Sequence, residues 1–298
     1  MLYKIIELLK KYIFIGRQRH TMDTKYWGPS GWKFLHLITF VQEHPSVEQK
    51  KNLQCFFTTL PYILPCKFCR ASLSEYMERY PVEKALESSE PYSVAKWLWK
   101  IHNCVNDKLR GQKLLSEAQK DPPFKTVKEL YIDKFEAGCT RTKFEGWEFL
   151  FSVIESHPYS KQSLSSIPIE GAPPVETLQT DLEKNRWNLL PPAQRLKMFI
   201  QFWKCLPDVL PYTEWTQIWS KCSTNWLLRK SSLKSLWGIR CAIESQLKLL
   251  NNTDYYSLCR ELRTHRSGCS KSRRAKTCRK IGSKDKALKT YRKKRETR

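Results

Sequence analysis

Four short segments recur in the same order in the two halves of this chain, and that echo restricts the fold more than any single motif does. Gly31-Trp32-Lys33-Phe34-Leu35 returns as Gly146-Trp147-Glu148-Phe149-Leu150, and His44-Pro45 returns as His157-Pro158. The stretch from Phe57 to Cys66 is matched by the stretch from Trp203 to Tyr212. Leu98-Trp99-Lys100-Ile101-His102 is matched by Leu236-Trp237-Gly238-Ile239-Arg240. Repetition in a fixed order indicates one supersecondary unit used twice.

The unit is helical. Apolar residues fall at helical spacing from Gly31 to Gln42 and from Val47 to Leu60, with stops at His44-Pro45 and Pro61. A third helix starts at Cys66 or Lys67 and ends near Tyr80 ahead of Pro81, and a fourth runs from Pro91 to Leu109. No strand pattern intervenes. The expected architecture is all-α: residues 26–135 form a four-helix bundle with a short fifth helix, and 140–255 form a second helical domain. A Ser-, Pro- and Gly-rich connection from Tyr159 to Leu190 lies within the second.

Charge marks the ends. Residues 260–298 hold 17 Lys and Arg against three acids, which accounts for more than half of the net charge of +24. Such a run repels itself and is expected to be a disordered tail, either a solubilising extension or a non-specific contact for nucleic acid and other acidic surfaces. No nucleic-acid module accompanies it. Residues 1–25 are expected to be an extension, with Met22 an alternative start. The first 15 residues are apolar but interrupted by charges, and no small-residue cleavage site follows, so no secretory signal is read there. They are too short to span a bilayer, and an amphipathic surface helix is the other reading.

The chemistry concentrates at Leu64-Pro65-Cys66-Lys67-Phe68-Cys69. Two cysteines at this spacing on the first turn of a helix bring their sulfurs within bonding reach, and the helix dipole favours a thiolate. Half of a zinc site is the competing reading, but no second Cys/His pair at finger spacing stands nearby. A dithiol needs a cofactor to pass electrons to oxygen. Gly28, Trp32 and His36 recur every four residues and share a face, with Gly28 allowing close approach. Trp99, His102 and Asn106 form a second stripe beside Asn103, and Lys108 and Arg110 near the helix end could meet a pyrophosphate.

Taken together, residues 26–113 resemble the FAD-linked sulfhydryl oxidases of the Erv/Alr family, in the form encoded by large DNA viruses. The resemblance implies FAD inside the first bundle, with the Trp32/His36 stripe on one side and the His102-Asn103-x-x-Asn106 helix on the other. Cys69 is then the flavin-proximal cysteine and Cys66 the distal one, which exchanges with thiol-containing substrate proteins while O2 is reduced to hydrogen peroxide. No metal is implied. The implied setting is host cytoplasm, viral factory or virion. Three departures stand out: Pro29 where many members carry arginine, no counterpart of the structural disulfide that pins the last helix, and a weak match at Lys128-Glu129-Leu130-Tyr131 to the closing segment. Cys259, Cys269 and Cys278 are shuttle candidates, with unpaired tail thiols the alternative. Cys55, Cys205, Cys222 and Cys241 are expected to be small core residues.

The second copy has lost this chemistry. Cys66 and Cys69 map to Tyr212 and Trp215, His36 to Phe151, and His102 and Asn106 to Arg240 and Glu244. It is expected to be a degenerate oxidase-like domain without flavin, standing where a partner subunit would pair; a homodimer is the alternative assembly. A non-enzymatic virion or scaffold protein on two bundles is the competing function.

Overall fold

The computed structural model describes residues 22–137, 144–160, 168–222, 233–249 and 253–265. Among them are twelve α-helices and no strand, so the all-α expectation holds. The first half contains α1 (Thr24–Phe40), α2 (Val47–Ile63), α3 (Lys67–Arg79), α4 (Val82–Glu87), α5 (Ser93–Gly111) and α6 (Phe124–Glu136). The second contains α7 (Trp147–Glu155), α8 (Asp181–Arg186), α9 (Pro192–Val209), α10 (Thr213–Ser220), α11 (Leu233–Gln246) and α12 (Tyr255–His265).

Several boundaries differ from the sequence expectation: α4 was not read, α5 starts at Ser93 rather than Pro91, and three other differences have identifiable causes. Helix α1 starts at Thr24 rather than Gly31 because Asp23 caps it, accepting a hydrogen bond from the Lys25 amide. Met22 is buried against the core, so the end of the supposed extension belongs to the domain. Helix α2 opens on a capping box between Ser46 and Gln49 and continues past Pro61 to Ile63. Carbonyls at its end find donors in the second half: Asn185 Nδ2 donates to Pro61 O at 2.9 Å and Arg195 Nε to Tyr62 O at 3.4 Å. At the C-terminus, α12 runs to His265, into the stretch assigned to the tail. Leu258 and Leu262, one turn apart, are buried, and His265 stacks on Tyr26 at 4.3 Å. The remainder of the basic tail, with Cys269 and Cys278, lies outside the described residues.

Counterpart positions of the two halves share local geometry. Cys66 and Tyr212 occupy the same N-cap position with the same extended conformation (φ −117°, ψ 127° and φ −129°, ψ 127°). Pro61 and Pro207 lie inside the last turn of α2 and of α9.

Two helices also pack on their own counterparts, α1 on α7 and α2 on α9. A Cβ on Gly31 would come within 3.1 Å of the Phe149 ring, and one on Gly146 within 3.0 Å of Phe34. Since Phe34 and Phe149 are themselves counterparts, the contact is reciprocal. Phe56 meets its counterpart Phe202 at 5.2 Å between ring centroids. Reciprocity of this kind is the geometry of a two-fold interface, here between halves of one chain.

Cys55 and Cys205 form a disulfide between α2 and α9, at a sequence separation of 150. This corrects the reading of both as small core thiols: apolar surroundings on each helix hid the fact that the two faces meet. Cys222 and Cys241 are half-buried thiols whose pKa values burial pushes up. Closing so long a loop removes much of the freedom of the unfolded chain. The double substitution Cys55→Ala/Cys205→Ala should therefore cost up to about 5 kcal/mol in urea unfolding. Equal stability of variant and parent would show that the link carries no constraint.

Candidate functional site

Cys66 N-caps α3, and its carbonyl accepts the Cys69 and Arg70 amides, each at 3.0 Å. The cysteine pair thus occupies the cap and third positions of the helix, where the helix dipole is positive. No acid stands in the first turn. Cys66 is completely buried and Cys69 half-buried.

Helix α3 packs on α5. Tyr76 Oη donates to the Cys104 carbonyl at 3.1 Å, and Lys108 Nζ donates to Ser72 Oγ at 2.8 Å. Cys104 is a half-buried thiol whose pKa burial raises. Helix α5 also meets α1, and there the two stripes come together. His36 Nε2 lies 3.1 Å from His102 Nδ1, a contact in which one ring donates and the other accepts. The Trp32 indole stacks on His102 at 3.9 Å and 8°. Tyr131 from α6 stacks on the other side, 5.2 Å from His36 and 5.5 Å from Phe40. The weakly matched segment around Tyr131 therefore does close over the stripe.

Burial, and for His36 the neighbouring His102, pulls these imidazoles down, His36 to about 3 and His102 to about 4. Both are neutral at physiological pH, so the column is a flat, uncharged surface. His36 Nδ1 is buried without a partner among the described residues.

Other predicted residues are placed differently. Gly28 has nothing within 4 Å of where a Cβ would stand, which leaves room beside it, whereas Gly31 faces the Phe149 ring of α7. Trp99 donates through Nε1 to Pro122 O at 2.9 Å and meets Phe124, which ties it to the start of α6. Asn106 Nδ2 donates to Asp121 Oδ1 at 2.7 Å, and Arg110 pairs with both Asp121 and Asp107. Asn103 is half-buried on α5. Cys259 is a half-buried thiol on α12, far along the chain from Cys66.

Two residues had no place in the sequence reading. Asp121 gathers Asn106 and Arg110, and its position in a Lys-Asp-Pro-Pro turn gave no signal. Arg70, directly after the second cysteine, is buried and donates from Nη1 to Leu64 O and from Nη2 to Asn188 Oδ1, both at 3.0 Å.

These residues fit a flat cofactor with an anionic arm. The Trp32, His36 and His102 rings offer a neutral stacking surface with an unsatisfied imidazole nitrogen. Lys108 has no carboxylate within 4.0 Å among the described residues, so its charge is available to a pyrophosphate. Arg110 is already neutralised by its two aspartates.

The matching place in the second half is filled by protein. Arg240 lies over Trp147, Phe151 and Trp237 at 5.5, 6.0 and 5.4 Å, and Nε pairs with Glu244 at 2.9 Å. Trp215, in the position of Cys69, is fully buried and packs on Trp147.

Comparison with known proteins agrees with this geometry. The Erv1/Alr family matches residues 29–128. Over 96 residues the chain is 33% identical to a probable FAD-linked sulfhydryl oxidase of Acanthamoeba polyphaga mimivirus, covering 32% of this chain and 66% of that one. It is 28% identical over 92 residues to the mitochondrial FAD-linked sulfhydryl oxidase of Saccharomyces cerevisiae, covering 30% and 47%. It is 34% identical over 83 residues to an FAD-linked sulfhydryl oxidase of Arabidopsis thaliana, covering 28% and 41%. The chain thus spans less than two thirds of the length of these curated relatives. No solved structure matches.

Proposed function

We propose, from the match of residues 29–128 to the Erv1/Alr family, that the protein is an FAD-linked sulfhydryl oxidase converting two thiols and O2 into a disulfide and hydrogen peroxide. One observation carries the reading. A dithiol caps α3, that helix packs on α5, and α5 joins α1 through a neutral Trp32–His102–His36 column.

A substrate thiolate attacks Cys66 Sγ of the oxidised pair, and Cys69 leaves as a thiolate. A second substrate thiolate then displaces Cys66, releasing the substrate disulfide and leaving two electrons on the cysteine pair. FAD, when bound, accepts those two electrons and delivers them to O2. Trp32, His36 and His102 would hold it by stacking, Asn103 and Asn106 would offer amide groups, and Lys108 would meet its phosphates. The aromatic column and Tyr131 exclude water from that surface.

The exposure of the cysteines does not set their order, which rests on the family resemblance: Cys69 is half-buried and Cys66 fully buried. Cys66 is sealed, so substrate exchange there requires local opening at 64–66. The second half is read as a flavin-free partner mimic, because Arg240, Glu244 and Trp215 fill the equivalent space.

The viral relative supports a catalyst that makes disulfides where thiols are otherwise kept reduced. No helix among the described residues is long and apolar enough to cross a membrane. The decisive experiment is purification of the full chain followed by visible spectroscopy and oxygen uptake with dithiothreitol. Bound flavin and thiol-dependent oxygen consumption are expected. A colourless protein that consumes no oxygen after FAD is added would leave the scaffold reading in its place.

A further inference from the structure

Arg70 is surrounded by groups that do not neutralise it. Its guanidinium is buried, Nη1 donates to Leu64 O, Nη2 donates to Asn188 Oδ1, and Nε has no partner. Arg195, from α9, lies close enough to repel it and is equally buried, bonded to Tyr62 O with one terminal nitrogen unpartnered. Among the described residues, no carboxylate lies within 4.0 Å of either guanidinium. Two buried cations thus meet at the end of α2 and the start of α3 with only carbonyl and amide oxygens to hold them. An uncompensated buried charge is strongly unfavourable. The groups able to supply negative charge here are the two cysteines, which Arg70 feels electrostatically, Cys66 more strongly than Cys69.

Of the other charges around the pair, Lys67 on the same turn also feels Cys66, but it is only partly buried and is repelled by Arg70. Lys108 of α5 reaches Ser72, whose hydroxyl leaves its charge for the cofactor phosphates, and Tyr62 of α2 is held in its neutral form by burial. Glu75 and Glu78 of α3 pair with Arg186 of α8.

We propose that Arg70 is the fixed counter-cation of the Cys66–Cys69 pair, a positioning residue seated from the second half by Asn188, that holds the reduced pair as thiolate and thereby makes its disulfide the stronger oxidant. The thiol proton goes to solvent, and the resulting Sγ anion completes a charge balance that the fold leaves open. A stabilised reduced form raises the reduction potential of a dithiol. This rests on the reading of the pair as a redox couple, and it gives the degenerate half a part in setting the chemistry of the active one.

The test is redox titration of the full chain in glutathione buffers, quenched in acid and read by mass spectrometry of the peptide bearing Cys66 and Cys69. Arg70→Gln should shift the equilibrium toward disulfide by about tenfold near pH 8, equivalent to about 30 mV. The shift should shrink toward none near about pH 5, where the thiols of both proteins are protonated. Arg70→Lys should stay within about threefold of the parent, because the charge remains. Asn188→Asp keeps shape and volume but places a carboxylate on Arg70, so it should shift the equilibrium in the same direction as Arg70→Gln. It decides the question if Arg70→Gln fails to fold. Unchanged equilibria in Arg70→Gln and Asn188→Asp, or an equal shift at both pH values, would overturn the proposal. Oxygen uptake by the parent is read separately, so a chain that does not consume oxygen yet shows the pH-dependent shift would refute the oxidase and leave the role of Arg70 standing.

Discussion

Cys66→Ser and Cys69→Ser are each expected to lower dithiothreitol-driven oxygen consumption by on the order of a thousandfold or more, the scale set by removing a covalent nucleophile. The two variants should differ in what they retain. Cys66→Ser removes the sulfur at the helix cap but leaves the aromatic column intact, so flavin content should be unchanged. Cys69→Ser removes the half-buried sulfur, and with it any absorption band that depends on a thiolate lying against the flavin. Neither change alters much volume, and Cys66 makes no side-chain capping bond that serine would disturb. Stability should therefore move little, which separates lost chemistry from lost fold. Normal oxygen consumption in either single variant would place the exchange chemistry on other cysteines.

How far the sequence reveals this arrangement depends on the range of the interaction. Helix periodicity and prolines are local, so four first-half helices were legible between Gly31 and Leu109, while α4 went unread and some ends were shifted by local and distant caps. Asp23 moves the start of α1, and Asn185 and Arg195 satisfy the end of α2 beyond Pro61. The two stripes were legible because each recurs at fixed spacing on its own helix, but their direct contact was not, since the sequence reading put a flavin between them. The seat of Arg70 was not, since Asn188 lies 118 residues away in a loop with no motif. The Cys55–Cys205 bond was hidden for the same reason: each cysteine sits among apolar residues, and only the pairing of α2 with α9 brings them together. The repeat contained that information in principle. Counterparts that carry buried aromatics on matching faces, as Phe56 and Phe202 do, can pack on each other about a two-fold axis.

Removing the second half should for that reason do more damage than any single substitution. A fragment of residues 22–137 would lose Phe149 from above Gly31 and Phe202 from beside Phe56, and would lose the donors of Asn185 and Arg195 to the end of α2. Phe34, Phe56 and Phe57, fully buried in the full chain, belong to a core shared with the second half. An exposed aromatic face of that kind drives self-association. We expect the fragment either to aggregate or to pair with a second copy through α1 and α2. Pairing would recreate the two-fold contact with identical halves, and size-exclusion chromatography with light scattering separates the two outcomes. Within the full chain, Phe202→Ala isolates the interface and should cost about 3–5 kcal/mol, as for other buried phenylalanines. A fragment that stays monomeric, keeps flavin and turns over dithiothreitol at the full rate would refute the partner-mimic role, because the first half would then need no second bundle, covalent or otherwise, against α1 and α2.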